Sequence, residues 1–428
     1  MIQELLNKHA LNITILGKAL SISTMNQVVS SGTNFLFGLY LVRVLNPTDF
    51  GLYGISFAIC LFYAGIGNAL FLTQMVVRLP DKQSADRLPY SARILILTFL
   101  FSVLSALILL VFLLFIPALL NLNTYYLNIG FAITILATTY LLKDFFIRHA
   151  YSFYKEKQAL ATNLSLTIGL SIALITLFQL NYKMTATVAI LSLSFAQLIA
   201  IIVGFSLSHL SIQGLSRTQI IEDLKELLRG GKWSVLAHII ISIRAQAYTL
   251  IVATLMGPAG VARLNAARIF ITPATMLMPA IGQVFLPRIA NARAIDIKQG
   301  YRMGLISSVV MLGIVLTYSA LILLSFPYIS NIIIGSKYQS LFWLVFWWSI
   351  YNCFTTIRTG QELIIVAYKL FRAQAAINGI AAIMALLFVY LLFTTFDGSG
   401  AIMGLIISEI IVLFFMWRII KARLKSGK

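Results

Sequence analysis

Arg244, Arg263 and Arg268 stand in a stretch where no Asp or Glu occurs between Glu226 and Asp296. A guanidinium presents a planar fork of N–H donors that fits phosphate or carboxylate oxygens two at a time. Embedded cations with no acid in their own or the next apolar segment suit an anion brought by a substrate, and a diphosphate matches the fork. Arg244 lies 12 residues after Lys232 and 11 before Leu255, roughly 17–18 Å from either end of its segment at about 1.5 Å per residue. A charge at that depth costs at least ~2.5–3.5 kcal/mol in a bilayer, so it should face a water-filled cavity or a partner. The competing reading is a structural ion pair between Arg244 and Glu362, Glu409 or Asp144 of another segment. Arg268 is read with Arg244 as cavity-facing. Arg263, five residues after Pro258, is read as reaching the interface, and Arg43, at the end of the first apolar segment, has the same standing.

Other polar residues recur at helical spacing. Ser23, Asn26, Gln27, Ser30 and Asn34 form one polar stripe, which predicts either sugar contact or hydrogen bonding between helices. Asn352, Thr355, Thr359 and Glu362 share a second face, where Arg358 stands four residues before Glu362 and is placed to pair with it or to meet a phosphate. Lys143, Asp144 and Arg148 make a charged cluster in which Asp144 and Arg148 are spaced to pair, with a gate as the alternative role.

The elements that must position these residues follow from composition. With 60% hydrophobic and 11% charged residues and a mean hydropathy of +0.93, the 428-residue chain is an all-α polytopic membrane protein. Twelve spans are expected near 15–43, 51–77, 91–116, 126–150, 161–180, 185–207, 233–255, 261–287, 303–326, 340–368, 373–396 and 399–418. The amino terminus, MIQELLNKHALNITILGK, lacks a cleavable signal pattern and is read as an interfacial lead-in. Most of the 32 Lys and Arg fall in loops on one side, while Arg43, Lys183 and Lys337 occupy the other, so both termini are expected in the cytoplasm. The net charge of +19 is then a topology signal, and nucleic acid is not called for as a partner.

The first span begins at Gly17-Lys18 and the seventh at Gly231-Lys232, 214 residues later, while Pro47 and Pro258 end the corresponding spans 211 residues apart. The expected organisation is two six-helix bundles, 1–210 and 211–428, of the same transmembrane sense. Pro273 and Pro279 inside the eighth span, with Pro287 at its end, predict a bendable helix.

Four stretches also carry a family resemblance: LNPTDFGLYG after the first span, EDLKELLRGGKW before the seventh, MGPAGVARLNAARIF into the eighth and VFLPRIANAR at its end. They resemble the polysaccharide and O-antigen flippases (Wzx type) of the multidrug/oligosaccharidyl-lipid/polysaccharide superfamily. The resemblance implies two bundles forming a V around a central cavity in a bacterial inner membrane. It implies transport of undecaprenyl-pyrophosphate-type lipid-linked oligosaccharide by alternating access, alongside other polysaccharide-assembly membrane proteins. It also implies a lateral opening beside the first and eighth helices through which the tail stays in lipid, and it lets Arg43 face the outer mouth of the cavity as a substrate-binding residue.

Other chemistries find less support. Gly230-Gly231-Lys232-Trp233 lacks the spacing and hydroxyl of a nucleotide-binding loop, the four histidines are isolated, and no cofactor or metal is expected, with H+ or Na+ coupling left open. His238 is read as a packed imidazole, and Cys60 and Cys353 as small buried hydrophobes. A cation antiporter of the same superfamily would want acids in the first and seventh spans, and none occurs from Asn7 to Thr48 or from Leu227 to Ile295. A membrane glycosyltransferase would want a large outer loop, whereas the longest loop, Ser208 to Lys232, lies on the expected cytoplasmic side. No enzymatic activity is therefore expected.

Overall fold

A computed structural model describes residues 2–79, 82–119, 124–210, 216–276, 278–333, 341–368 and 370–426, which are helical with short connections and contain no strand. Helix α1 covers Ile2–Val44. Helix α2 covers Pro47–Gly67 and continues through a π turn, Asn68–Leu72, into Thr73–Arg78. Helices α3 (Arg87–Leu119), α4 (Thr124–Ser152), α5 (Glu156–Gln179) and α6 (Ala186–Ser208) follow. The run Arg217–Met276 breaks at Gly257 into α7 (217–256) and the stretch 258–276, which together with Met278–Ile295 is named α8. Helices α9 (Ile297–Ile333) and α10 (Phe342–Ala367) precede a last run, Phe371–Ser426, which breaks at Phe396 and Asp397 into α11 (371–395) and α12 (398–426). The twelve helices match the expected spans in order and place.

Each break has a local cause. Gly257 takes φ 68° and ψ −169°, backbone that only glycine adopts without strain, and Pro258 then opens α8 with φ already set for a helix. Asp397 holds φ 50° and ψ −139°, outside the left-handed helical well, a strained backbone that marks the end of α11. Between α1 and α2, Asn46 Oδ1 accepts from the backbone N–H of Asp49 at 2.8 Å, and Asn46 Nδ2 donates to the Asp49 carboxylate at 2.8 Å. Asn46-Pro47-Thr48-Asp49 is thus a helix start with cap, first-turn proline and acid in place. Eight described stretches are long and apolar enough to cross a membrane by length and composition, and this is a multi-pass membrane protein. Helices α1 and α10 fall outside that set because polar residues run along them.

The chain divides into two compact units, residues 1–34 with 59–238, and residues 35–58 with 239–428. Small side chains set helix spacing in the first. Gly169 of α5 faces Ala196 of α6 so closely that an added Cβ would lie 3.2 Å from the Ala196 Cα. Close backbone approach of this kind supplies the van der Waals contact that drives helix association where lipid competes for apolar surface. In the second unit α9 and α10 interlock in the same way, Gly360 against Ser308, over a core that includes Ile289, Ile364, Ile365, Ala381, Val412 and Met416. That packing holds α10, which carries several of the residues considered next.

Candidate anion-binding site

Within the second unit, Arg268 projects from α8 as an exposed side chain and its Nη1 donates to Tyr248 Oη at 2.9 Å. Tyr248 of α7 donates in turn to Asn265 Oδ1 at 3.0 Å. The guanidinium carbon lies 5.3 Å from the ring centroid of Trp348 and 5.8 Å from that of Tyr248, within cation–π range. Trp348, from α10, is 1% exposed, and its Nε1 donates to the Leu264 carbonyl at 3.1 Å. Tyr248 and Trp348 meet edge to face at 5.2 Å. The arginine is thus held by the hydroxyl and ring of Tyr248 and the ring of Trp348, from two other helices, neither of which cancels its charge. Among the described residues no carboxylate pairs with it, so its remaining N–H donors keep full positive character for an incoming anion.

Arg358 is the contrast. Its Nη1 donates to Glu362, as the spacing predicts, and its Nε lies 2.7 Å from a Glu409 carboxylate oxygen of α12. Glu409 reaches it from 51 residues away in sequence, which spacing could not foretell. This fork is committed to two carboxylates inside the protein. Arg263 is exposed and borders a small cavity of ≈170 Å³ with Asp397, Ser399 and Phe396, beside the two helix breaks of the second unit. Arg43 is exposed at the end of α1. The side chain of Arg244 lies outside the described residues.

In the first unit the α1 stripe divides in two. Asn26 is buried, donates to Tyr151 Oη at 2.7 Å and accepts from Asn163 Nδ2 at 2.7 Å, tying α1 to α4 and α5. Gln27, which donates to Ser31 Oγ at 3.0 Å, and Asn34 are exposed, while Ser23 and Ser30 are half-buried. Thr33, outside the stripe, bonds Thr167 at 2.7 Å. The charged cluster of α4 differs from the expected i, i+4 pair: Asp144 takes Lys143 at 2.7 Å and Asn68 Nδ2 at 3.5 Å, and among the described residues Arg148 joins no ion pair. The long Lys143 stem can fold back to its neighbour, and the π turn of α2 brings Asn68 to the same carboxylate. His238 is packed, its imidazole filling the space left by Gly65 beside the Phe62 ring.

Sequence reasoning missed a buried ionic tie in this unit. Arg93 of α3, 4% exposed, pairs with Asp223 at 2.5 Å, with Asp86 at 3.4 Å and with Gln219 at 3.3 Å. Arg78 and Lys82 both reach Glu226. The acids of EDLKELLRGGKW therefore clamp the start of α7 onto the basic connection between α2 and α3. Apart from Asp86, these partners lie about a third of the chain apart, so no local spacing marks them.

Two other motifs meet in the second unit. A Cβ on Gly51 of LNPTDFGLYG would stand 1.7 Å from the Pro258 carbonyl oxygen, and one on Gly54 would stand 2.5 Å from Asn265 Nδ2. Glycines three residues apart on α2 thus admit the turn and first coil of α8, next to Arg268. VFLPRIANAR supplies Arg293, which donates to the Ala367 carbonyl at 2.8 Å and lies over the Tyr368 ring, closing the end of α10.

Comparison with known proteins adds to this geometry. The fold resembles a multidrug resistance MATE family transporter of the MOP superfamily in an inward-facing conformation, with a TM-score of 0.73 and 14% identity over 95% of this chain and 98% of that one. It resembles equally the lipid II flippase MurJ in an inward closed conformation, with a TM-score of 0.73 and 12% identity over 94% and 87%. A third likeness, to a MOP superfamily transporter from Pyrococcus furiosus Vc1 described as having a binding pocket of reverse polarity, has a TM-score of 0.65 and 14% identity over 96% of each chain. A search of curated proteins returned no match. The profile of a polysaccharide biosynthesis protein family matches residues 16–293, well over half the sequence. On that match, the chain belongs to the polysaccharide biosynthesis protein family, built on the fold shared by transporters of the MOP superfamily.

Proposed function

We propose that the protein is a flippase for polyprenyl-pyrophosphate-linked oligosaccharides, O-antigen units or a related surface polysaccharide among them. In this reading it moves them from the cytoplasmic to the outer leaflet of a bacterial inner membrane, with both of its own termini in the cytoplasm. The observation that carries the reading is Arg268: a charged guanidinium held in place by Tyr248 and Trp348 and, among the described residues, left without a carboxylate. A pyrophosphate supplies the missing charge and matches the fork. Arg244 is the second proposed ligand, on the strength of its depth in an acid-free segment. Gln27, Ser30 and Asn34 are proposed to meet the sugars, whereas Asn26 is occupied in holding α1 to its neighbours. The six-helix halves, 1–210 and 211–428, rock to expose the cargo on alternate sides. Coupling to H+ or Na+ is assigned to Glu362 and Glu409, the two carboxylates that meet on Arg358.

The test is translocation of a radiolabelled polyprenyl-pyrophosphate oligosaccharide in proteoliposomes, with and without a proton or sodium gradient. Wild-type protein is expected to transport, with Arg268→Ala and Arg244→Ala inactive though folded and Arg268→Lys partly active because charge survives without the fork. Gradient-driven efflux of a cationic dye with no movement of any lipid-linked sugar would replace this reading by that of a multidrug antiporter.

A further inference from the structure

A second feature lies on α8 and α10, the helices that carry Arg268 and Trp348. A cavity of ≈460 Å³ is lined by Thr275, Met278, Pro279, Gly282 and Leu286 of α8 and by Thr355, Thr356, Thr359 and Leu363 of α10. Its volume falls in the range of ligand sites in proteins, roughly 300–1,000 Å³. Its position relative to Arg268 is fixed along both helices. Thr275 follows Arg268 by seven residues, and Thr355 follows Trp348, the residue stacked on Arg268, by the same seven. At about 1.5 Å per residue the cavity begins about 10 Å along the helix axes from the backbone positions of Arg268 and Trp348 and runs toward the C-terminal ends of both helices.

The lining makes few polar demands. Thr275, Thr355 and Thr359 each donate their hydroxyl to a backbone carbonyl of their own helix, at 2.8, 2.8 and 2.9 Å, so an apolar occupant leaves none of these donors unsatisfied. Gly282 is not required there by its backbone: among the described residues a Cβ would meet only Leu363 Cδ2, at an ordinary 3.6 Å. It leaves open a width that a larger side chain would close. Arg358, on the same stretch of α10, is already neutralised by Glu362 and Glu409 and offers no competing pull on a phosphate.

We infer that this cavity receives the phosphate-proximal isoprene units of the carrier while its pyrophosphate sits on Arg268. The inference rests on the pyrophosphate reading and adds that part of the tail threads the protein instead of leaving directly into lipid. A prenyl chain fits better than a phospholipid acyl chain. It starts at the phosphate ester oxygen and carries no ester carbonyls, for which three of the four threonine donors are already spent.

The experiment is photolabelling of the intact protein in nanodiscs with a sugar-free geranylgeranyl pyrophosphate bearing a diazirine on its first isoprene unit, followed by peptide mapping. Label is expected within 278–286 or 355–363, displaced by unlabelled geranylgeranyl pyrophosphate and not by phosphatidylglycerol. It should fall at least about tenfold in Gly282→Leu and in Thr359→Leu, two independent ways of filling the space, each scored on protein that elutes as the folded species. Label confined to other helices, or undiminished in both filled variants, would overturn the inference. Displacement by phosphatidylglycerol would overturn it too, by making the cavity a general lipid site. Oligosaccharide transport without labelling would remove the cavity and leave the flippase reading standing. Labelling as described without transport would do the reverse.

Discussion

Arg268 and Arg358 belong to the same unit, lie on helices that run past one another, and differ in what surrounds the guanidinium. Arg358 has carboxylates from its own helix and from α12. Arg268 has a phenol and the faces of two aromatic rings. The first arrangement satisfies the cation internally; the second fixes its direction and leaves its charge unspent. Placing a cation in a membrane-embedded site therefore does not by itself mark a ligand position. What marks it is rigid support without neutralisation, since the cost of the unpaired charge is then offset when an anion binds.

The largest expected effect comes from breaking the satisfied arginine. Arg358→Ala removes the cation that Glu362 and Glu409 share and should cost about 3–5 kcal/mol, seen as loss of monodisperse protein on extraction. The double substitution Arg358→Met with Glu409→Gln should recover much of that loss. Arg268→Ala, in contrast, should extract and melt like wild type while transport falls by at least about 100-fold, equivalent to ~2.7 kcal/mol. Equal thermal destabilisation of the two alanine variants would erase the distinction. Gly51→Ala should sharpen it by disturbing the support and not the charge. Its Cβ has nowhere to go beside the Pro258 carbonyl, so a cost of about 1–3 kcal/mol is expected, together with weaker pyrophosphate binding if the α8 turn shifts. The smallest effects separate the two halves of the α1 stripe. Asn26→Ala loses interhelical bonds worth about 0.6 kcal/mol each, measurable by thermal unfolding, whereas Gln27→Ala should leave stability unchanged and alter only sugar-dependent transport.

The sequence made the helices legible because each span must satisfy its own backbone in lipid, which leaves runs of about 20 apolar residues that can be counted directly. Asn46, Pro47, Gly257 and Pro258 advertise their turns through residue types with few other uses there. Local charge spacing was a partial guide. It predicted Arg358 with Glu362 but paired Asp144 with Arg148, because a π turn in another helix, and the Asn68 it delivers, leave no trace at positions 144 and 148. Long-range ties were illegible for a similar reason. Arg93 with Asp223, and Arg358 with Glu409, depend on which helices pack together, and an apolar membrane core gives many helix faces the same composition. The aromatic support of Arg268 was hidden in the same way, since Tyr248 and Trp348 read individually as ordinary apolar positions.

The most direct test of the central claim is the affinity of purified protein for sugar-free geranylgeranyl pyrophosphate, measured for wild type, Arg268→Ala and Arg268→Lys at matched thermal stability. The account predicts binding at least about tenfold weaker in Arg268→Ala, with Arg268→Lys in between. Unchanged affinity in Arg268→Ala would contradict it, and would make the aromatic-held arginine a structural cation like Arg358.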